Sequence, residues 1–379
     1  MITNSTIVGI IADDLTGAND TALQFKLNGA DTNILLKNEI EKEKEHIPQA
    51  WAISTESRNI NPSEAYERVK SVVQLLKDKL DPDYFYKKID STVRGNIGIE
   101  VLAIIDELEL DGAIVIPAFP QEGRITVGGY QLLKGVPIER TEMARDPHSP
   151  INESHLPTLL KKQLGQNLEN LVGAIDLQTV LDGAGPVVMA IKEQLSQGKR
   201  IIIADAVSTT DIEQIALAIK KSGRSILPVG NAAAAKVLSN EWFAPEGLVQ
   251  DVLPLKLPFM PMLIVSGSAT QITANQIDKF EQSGEYDERC LIIELDLNTV
   301  LSGVNEDLVE RMASNLSANR IVLVHTSNLI KNFDGFAEDI IKADVTKVGL
   351  AGKITDFLAE LTKRVLDRKK AILVTLGGE

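Results

Sequence analysis

This chain of 379 residues contains a single cysteine, Cys290, so no disulfide can form within it. That excludes a disulfide scaffold and fits a reducing cytosol. Cys290 opens the apolar run Leu291-Ile292-Ile293 with no histidine nearby, and reads as a buried thiol rather than a nucleophile. Histidine is scarce as well. His46, His148, His155 and His325 fall at no metal-ligand spacing, so no metal held by the protein itself is expected. Positive charge is in deficit, with 39 Lys and Arg against 53 Asp and Glu and a formal net charge of −14. No basic block stands out, which argues against nucleic acid as a partner. No apolar run is long enough to span a membrane, and no Lys/Arg-led signal peptide opens the chain. A cytoplasmic protein without nucleic-acid or membrane partners is expected. Three common motifs are also missing. Gly349-Leu350-Ala351-Gly352-Lys353 lacks P-loop spacing, no G-x-G-x-x-G follows the first strand, and no G-x-S-x-G marks a serine hydrolase.

What is present is an ordinary globular composition, 44% hydrophobic with mean hydropathy near zero. The length suits two domains. Short, nearly continuous apolar runs rich in Ile and Val read as strands buried on both faces. They are Thr6–Ala12, Thr32–Leu36, Ala50–Ser54, Tyr84–Lys87, Ala113–Pro117, Arg200–Ala204 and Ser225–Val229, then Met262–Ser266, Leu291–Leu295, Ile321–His325 and Ala371–Leu376. Helical segments alternate with them. Pro62–Leu80 has Asn61 as N-cap and Glu64 three residues on, and Asp211–Lys221 has a capping box of Thr210 and Glu213. Gln271–Gln282 and Glu306–Leu316 carry helical spacing. The alternation predicts an α/β fold of two domains, each with a mostly parallel sheet flanked by helices. The proline-dense stretch Pro245–Pro261 reads as a linker, giving domains over 1–244 and 262–379. Gln131–Leu156 reads as a long irregular loop near the site.

Polar loops follow three of the strands. Asp13-Asp14-Leu15-Thr16-Gly17-Ala18 opens a helix from about Gly17 to Asn28. One acid there would cap the helix; two adjacent acids repel, which capping does not require, and so point to a site. Lys87-Lys88-Ile89-Asp90-Ser91-Thr92-Val93-Arg94-Gly95-Asn96 precedes a helix over Ile97–Leu108 and offers a forked guanidinium suited to a carboxylate. Strand alternation would send Lys87 and Lys88 to opposite faces. Pro117-Ala118-Phe119-Pro120 with Gly123-Arg124 is the third, and Arg58, in Ser54-Thr55-Glu56-Ser57-Arg58, follows a further strand. Such loops gather at the carboxyl edge of a parallel sheet, and Arg58, Arg94 and Arg124 together favour an anionic ligand. In the C-terminal half, Ser266-Gly267-Ser268 and Gly377-Gly378-Glu379 are small turns of the kind that approach phosphate oxygens.

These segments, with Gly128-Gly129-Tyr130 and Ala144-Arg145-Asp146-Pro147, resemble the four-carbon acid sugar kinase family of D-threonate, D-erythronate and 3-oxo-tetronate kinases. The resemblance covers essentially the whole chain. It implies an N-terminal domain for the sugar acid, a C-terminal domain for ATP and an active site in the cleft between them. Arg94 leans towards the threonate and erythronate kinases, since members acting on the 3-oxo acid tend to have Lys there. The family continues beyond its Gly-Gly-Glu turn, so the resemblance implies a nucleotide domain truncated at Glu379. The implied reaction is transfer of the γ-phosphate of Mg²⁺-bound ATP to the terminal hydroxyl of the acid, giving the 4-phosphate. Arg58, Lys88, Ser91, Arg94 and Arg124 would bind the acid. Asp13, Asp14 or Asp90 would orient the hydroxyl or take its proton. Ser266, Gly267, Ser268, Gly377, Gly378 and Glu379 would hold the nucleotide. The rival reading is a non-catalytic sugar-acid-binding protein or an inactive truncated homologue. A homodimer is left open.

Overall fold

The computed structural model describes residues 6–36, 40, 47–146, 149–243, 260–268, 271–283, 289–327, 329 and 346–376. The chain divides into two compact units, 1–252 and 253–379. His46, His148, Gly377, Gly378, Glu379 and most of the proline-dense stretch lie outside the described residues.

The first unit opens β1 (Val8–Ala12), α1 (Leu15–Leu27), β2 (Thr32–Leu35), β3 (Ala50–Ser54), α2 (Pro62–Leu80), β4 (Tyr84–Lys88), α3 (Ile97–Glu107) and β5 (Gly112–Ile116). A small antiparallel sheet follows, of β6 (Arg124–Val127), β7 (Tyr130–Leu133) and β8 (Val136–Pro137). The unit then runs through α4 (Leu156–Leu164), β9 (Val172–Ile175), α5 (Leu177–Leu181), α6 (Ala184–Ser196), β10 (Ile201–Ala204), α7 (Thr209–Lys221), β11 (Ile226–Gly230) and α8 (Ala232–Phe243). Eight of these strands form one parallel sheet in the order β2-β3-β1-β4-β11-β5-β10-β9.

Both faces of that sheet are covered. One core gathers Ile10, Phe25, Ile114, Ile202, Ile215 and Leu238 under α1, α6, α7 and α8. The other gathers Ile11, Ile53, Val72, Leu76, Ile104 and Leu160 under α2, α3 and α4. Strands buried on both sides explain the continuous apolar runs.

The second unit holds β12 (Met262–Ser266), α9 (Gln271–Gln282), β13 (Cys290–Glu294), α10 (Leu297–Ser302), α11 (Glu306–Ser317), β14 (Ile321–His325), α12 (Lys347–Arg368) and β15 (Ile372–Leu376). Its sheet is parallel, in the order β13-β14-β12-β15. Cys290 is buried there, as its sequence setting implies.

Some expectations need correction. The helix expected from Asp211 begins at Thr209, and its capping box pairs Ser208 with Asp211, not Thr210 with Glu213. Ser208 keeps an extended backbone, so its hydroxyl reaches the Asp211 N–H; Thr210 is already inside the helix. Gln131–Leu156 is not one irregular loop, since β7, β8, two 3₁₀ turns and the start of α4 lie in it. The hairpin was hidden because β6 and β7 have four residues each, too few for alternation to register. Gly128 and Gly129 form its turn at φ 59° and 76°, the pair of positive angles that a two-residue hairpin turn needs. Strand β9 was missed because Gly173 and Ala174 dilute its short apolar run. Helix α1 starts at Leu15 rather than Gly17, with Asp14 as N-cap.

Candidate active site

The strand register decides what meets at the carboxyl edge. Ser54, Ala12 and Lys88 are direct neighbours across β3, β1 and β4, and Lys88, Gly230 and Ile116 continue the row across β4, β11 and β5. The loops that begin at Thr55, Asp13, Ile89, Asn231 and Pro117 therefore emerge side by side. Three of these are the polar loops that stand out in the sequence.

Arg58 is buried at their centre. Its Nε and Nη2 donate to the two oxygens of Asp13 at 2.8 and 3.2 Å, and its Nη1 lies 2.8 Å from Asp14 Oδ2. Asp90 Oδ1 is 3.9 Å from Nη2. Arg94 donates through Nε and Nη2 to Asp90 at 2.9 and 3.2 Å, and through Nη1 to Asp146 at 2.8 Å. Asp90 also accepts from the Thr92 hydroxyl. Both guanidinium groups are thus met by the protein's own carboxylates, in the paired fork geometry that suits arginine. This arrangement offsets the repulsion between Asp13 and Asp14. Asp90 does not cap a helix: α3 begins at Ile97, behind Asn96.

The acids differ in basicity. Burial alone would raise Asp90, but the charge and hydrogen bond of Arg94, with Arg58 and Thr92, hold it well below the usual carboxylate range. Asp14 moves the other way. Burial, and the neighbouring charge of Asp13, outweigh the lowering by Arg58 and Lys88 and raise its value. For both arginines burial opposes the charge, but the adjacent carboxylates prevail and raise their values further.

The two lysines part company. Lys87 turns to the α3 side, where Nζ lies 2.7 Å from Glu100 Oε2 in a fully buried ion pair whose angle misses hydrogen-bond geometry. Lys88 turns to the α1 side and lies against Gly17, where an added Cβ would meet Nζ at 2.6 Å. Lys88 is only 5% exposed, yet it makes no ion pair within 4.0 Å among the described residues. Arg124 is also without an ion pair there, and its Nε is buried with no hydrogen-bond partner. Lys88 and Arg124 are thus two cations that, among the described residues, are not paired with a carboxylate.

Two of these loops also carry backbone strain. Glu56 has φ 45° and the buried Val93 φ 60°. A β-branched residue in the left-handed region is held there only by its surroundings, a pattern common at functional sites.

Three polar residues that the sequence reading missed lock the loops together. Gln131, fully buried, donates to Ser91 O at 3.2 Å and Pro117 O at 3.3 Å and accepts from Thr126 at 2.8 Å. Asn231 donates to Pro117 O at 2.7 Å and Ala118 O at 3.0 Å. Asp205 accepts from the amides of Gly128 and Gly129 at 2.6 and 2.9 Å, fixing the hairpin turn. Asn231 follows a strand as the other site loops do, and that position was a usable signal.

In the second unit, Ser266 ends β12 with its hydroxyl fully buried and without a partner among the described residues, while Ser268 bonds Thr273 at 2.7 Å. An orphaned hydroxyl at the carboxyl edge, ahead of helix α9, fits a phosphate oxygen. Among the described residues no three His, Cys, Asp or Glu side chains form a metal-binding group. Mg²⁺ needs no such cage, since it is held largely by nucleotide phosphates and water. No described helix is long and apolar enough to cross a membrane.

The chain is also similar to known proteins. Residues 8–238 match the sugar-binding N-terminal domain model and residues 263–379 the nucleotide-binding C-terminal domain model. The chain is 32% identical over 383 residues to the D-erythronate kinase of Heliobacterium modesticaldum, covering 98% of this chain and 83% of that protein. It is 30% identical over 378 residues to the D-threonate kinase of Salmonella typhimurium, covering 98% and 84%. A solved structure from Haemophilus influenzae superposes with a TM-score of 0.66 at 25% identity, covering 98% of this chain and 86% of that one. With sugar-binding and nucleotide-binding models matched in turn along it, the chain belongs to the four-carbon acid sugar kinase family, phosphotransferases that act on an alcohol group.

Proposed function

We propose that the protein phosphorylates the terminal hydroxyl of a threonate- or erythronate-type acid with ATP, giving the 4-phosphate. The observation that carries this reading is Lys88, a buried ammonium at the N-terminus of α1 without an ion pair among the described residues. A cation is disfavoured at the positive end of a helix dipole, and an anionic ligand there removes the penalty. Lys88 and Arg124 receive the carboxylate of the acid, and Ser91 and the peptide groups around it meet its hydroxyls. Arg58 and Arg94 frame that site while holding Asp13, Asp14 and Asp90 in place.

Asp14 is the base. Its value is raised where that of Asp90 is lowered, and a more basic carboxylate takes a hydroxyl proton more readily. The terminal hydroxyl oxygen forms a bond to the γ-phosphorus as the bond from that phosphorus to the β,γ-bridging oxygen breaks, and the hydroxyl proton passes to Asp14. ATP with Mg²⁺, when bound, supplies the phosphoryl group and neutralises its charge. Ser266, Gly267 and Ser268 hold its phosphates, and Gly377, Gly378 and Glu379 are proposed to join them. The protein's own share is positioning, which accounts for much of phosphoryl-transfer catalysis. We place the enzyme in the cytoplasm, with domains over 1–244 and 262–379 joined by the linker 245–261.

The test is an ADP-release assay with Mg-ATP and the D and L forms of threonate and erythronate, together with 3-oxo-tetronates. Turnover confined to one four-carbon acid supports the reading and names the substrate. Tight binding of an acid by calorimetry, with no ADP released for any of them, would overturn it in favour of a binding protein.

A further inference from the structure

Asp205 is the first residue past β10, the neighbour of β5 in the sheet and so beside the loop that begins at Pro117. Its carboxylate is buried and, among the described residues, pairs with no cation. It accepts instead from three backbone amides. Those of Gly128 and Gly129, at 2.6 and 2.9 Å, form the tip of the β6–β7 hairpin, and that of Leu177, at 3.2 Å, starts α5. Burial raises the value of Asp205, and the three amides do not bring it back. The turn does not need this charge in order to form, because two glycines at positive φ already suit it. What the carboxylate adds is a fixed place for the tip.

That place matters because of what the hairpin presents. Strands β6 and β7 have four residues each, too few to hold a pose unaided. Their register sets Thr126 opposite Gln131, and strand alternation puts Arg124 on the face of Thr126. This face meets the sugar-acid site. Gln131 donates to Ser91 O and Pro117 O, and Arg124 Nε is buried without a hydrogen-bond partner among the described residues. Backbone bonds hold the rest of β6: Thr126 exchanges two with Ala206 at 2.9 and 3.1 Å, and Arg124 two with Phe119 at 2.8 and 3.1 Å. The tip has only the Asp205 carboxylate and the Leu156 amide, which donates to Gly129 O at 2.8 Å.

We propose that Asp205 is a positioning residue for the sugar-acid site, acting through the β6–β7 hairpin whose inner face carries Arg124 and Gln131. This rests on the reading that Arg124 meets the carboxylate of the acid, and the test separates the two. Calorimetry with D-threonate and D-erythronate would compare wild type, Asp205→Asn, Arg124→Met and the double variant. Asparagine turns an amide donor towards a backbone donor and frees the tip. Asp205→Asn should weaken the acid about tenfold, the size of one hydrogen bond to a charged group. In the Arg124→Met background that further loss should vanish, because the group being positioned is gone. Asp176→Ala removes the cap of α5, the other element that Asp205 touches, and should leave acid affinity unchanged. Equal losses in both backgrounds, a matching loss in Asp176→Ala, or normal binding by Asp205→Asn overturns the positioning role and leaves the kinase intact. If Asp205→Asn does not fold, Gly128→Ala decides: its Cβ meets nothing within 4 Å, yet φ 59° strains the same tip. Weakened acid binding in that variant supports the role, and unchanged binding overturns it. Wild type that binds neither acid overturns the reading of the site and this inference together.

Discussion

Lys88 and Gly17 meet so closely that a β-carbon on Gly17 would come within 2.6 Å of Nζ, and within 2.5 Å of Asp14 Oδ1. Gly17 sits in the first turn of α1 with ordinary helical angles, so glycine is there for space and not for conformation. Replacing a helical glycine by alanine normally gains up to about 1 kcal/mol. Gly17→Ala should reverse that sign, because overpacking costs about 1–3 kcal/mol, and should raise the KM for the acid by about tenfold. Thermal unfolding and initial rates check both halves; a stabilised variant with unchanged KM would show that the contact is slack.

Lys88→Met separates stability from binding. It removes a buried cation that lacks an ion pair and faces the positive end of a helix. The free protein should be no less stable by urea titration, while affinity for the acid falls by about a hundredfold, the loss of a charged partner. A variant that binds the acid normally would remove Lys88 from the site.

How far the sequence reveals this site depends on which contacts are local. The Asp13-Asp14 loop and the Lys88-to-Asn96 loop announce themselves, since each is a polar cluster directly after a strand. The architecture follows from the same alternation, because a doubly covered parallel sheet demands apolar strands and amphipathic helices. The pairing of Arg58 with Asp13 is different. It depends on β3 lying beside β1, which 45 residues of separation do not reveal. The arginines therefore read as ligands for a substrate, although the fold first uses them to hold acids. Gln131 was illegible for a related reason. Its role exists only where Ser91, Pro117 and Thr126 converge, and one glutamine in a four-residue strand carries no trace of that.

Asp14→Asn should lower kcat by about 10²–10⁴-fold, the range for loss of a positioned base. Asparagine is as good an N-cap as aspartate, so α1 should keep its start and the protein its melting temperature. The KM for the acid should change little. Equal loss in Asp14→Asn and Asp13→Asn would instead point to a shared electrostatic role through Arg58, checked by steady-state kinetics on both.

Asp90 makes the protein sensitive to acid. Its folded value is depressed far below the ordinary 3.8, so its ion pairs with Arg94 and Arg58 contribute fully above that value and are lost as pH falls below it. Wild type should thus lose more stability than Asp90→Asn as the pH drops below 3.8. Urea midpoints over that range would show two curves converging in acid. Parallel curves would mean that the pairs contribute nothing.

Lys87 and Glu100 form a pair that touches no proposed ligand, 0% and 1% exposed, between β4 and α3 on the face opposite Lys88. Taking two charges from water is costly, and their attraction compensates only while both are present. Glu100→Gln leaves an ammonium buried without its counter-charge and should destabilise by about 3–5 kcal/mol. The double variant Lys87→Met with Glu100→Leu removes both charges at similar volume and should recover most of that loss. If the pair also sets the pose of the loop between β4 and α3, the double variant will regain its melting temperature but keep a lowered kcat, because Asp90 and Arg94 sit on that loop. Recovery of stability and turnover together would assign the pair to folding alone.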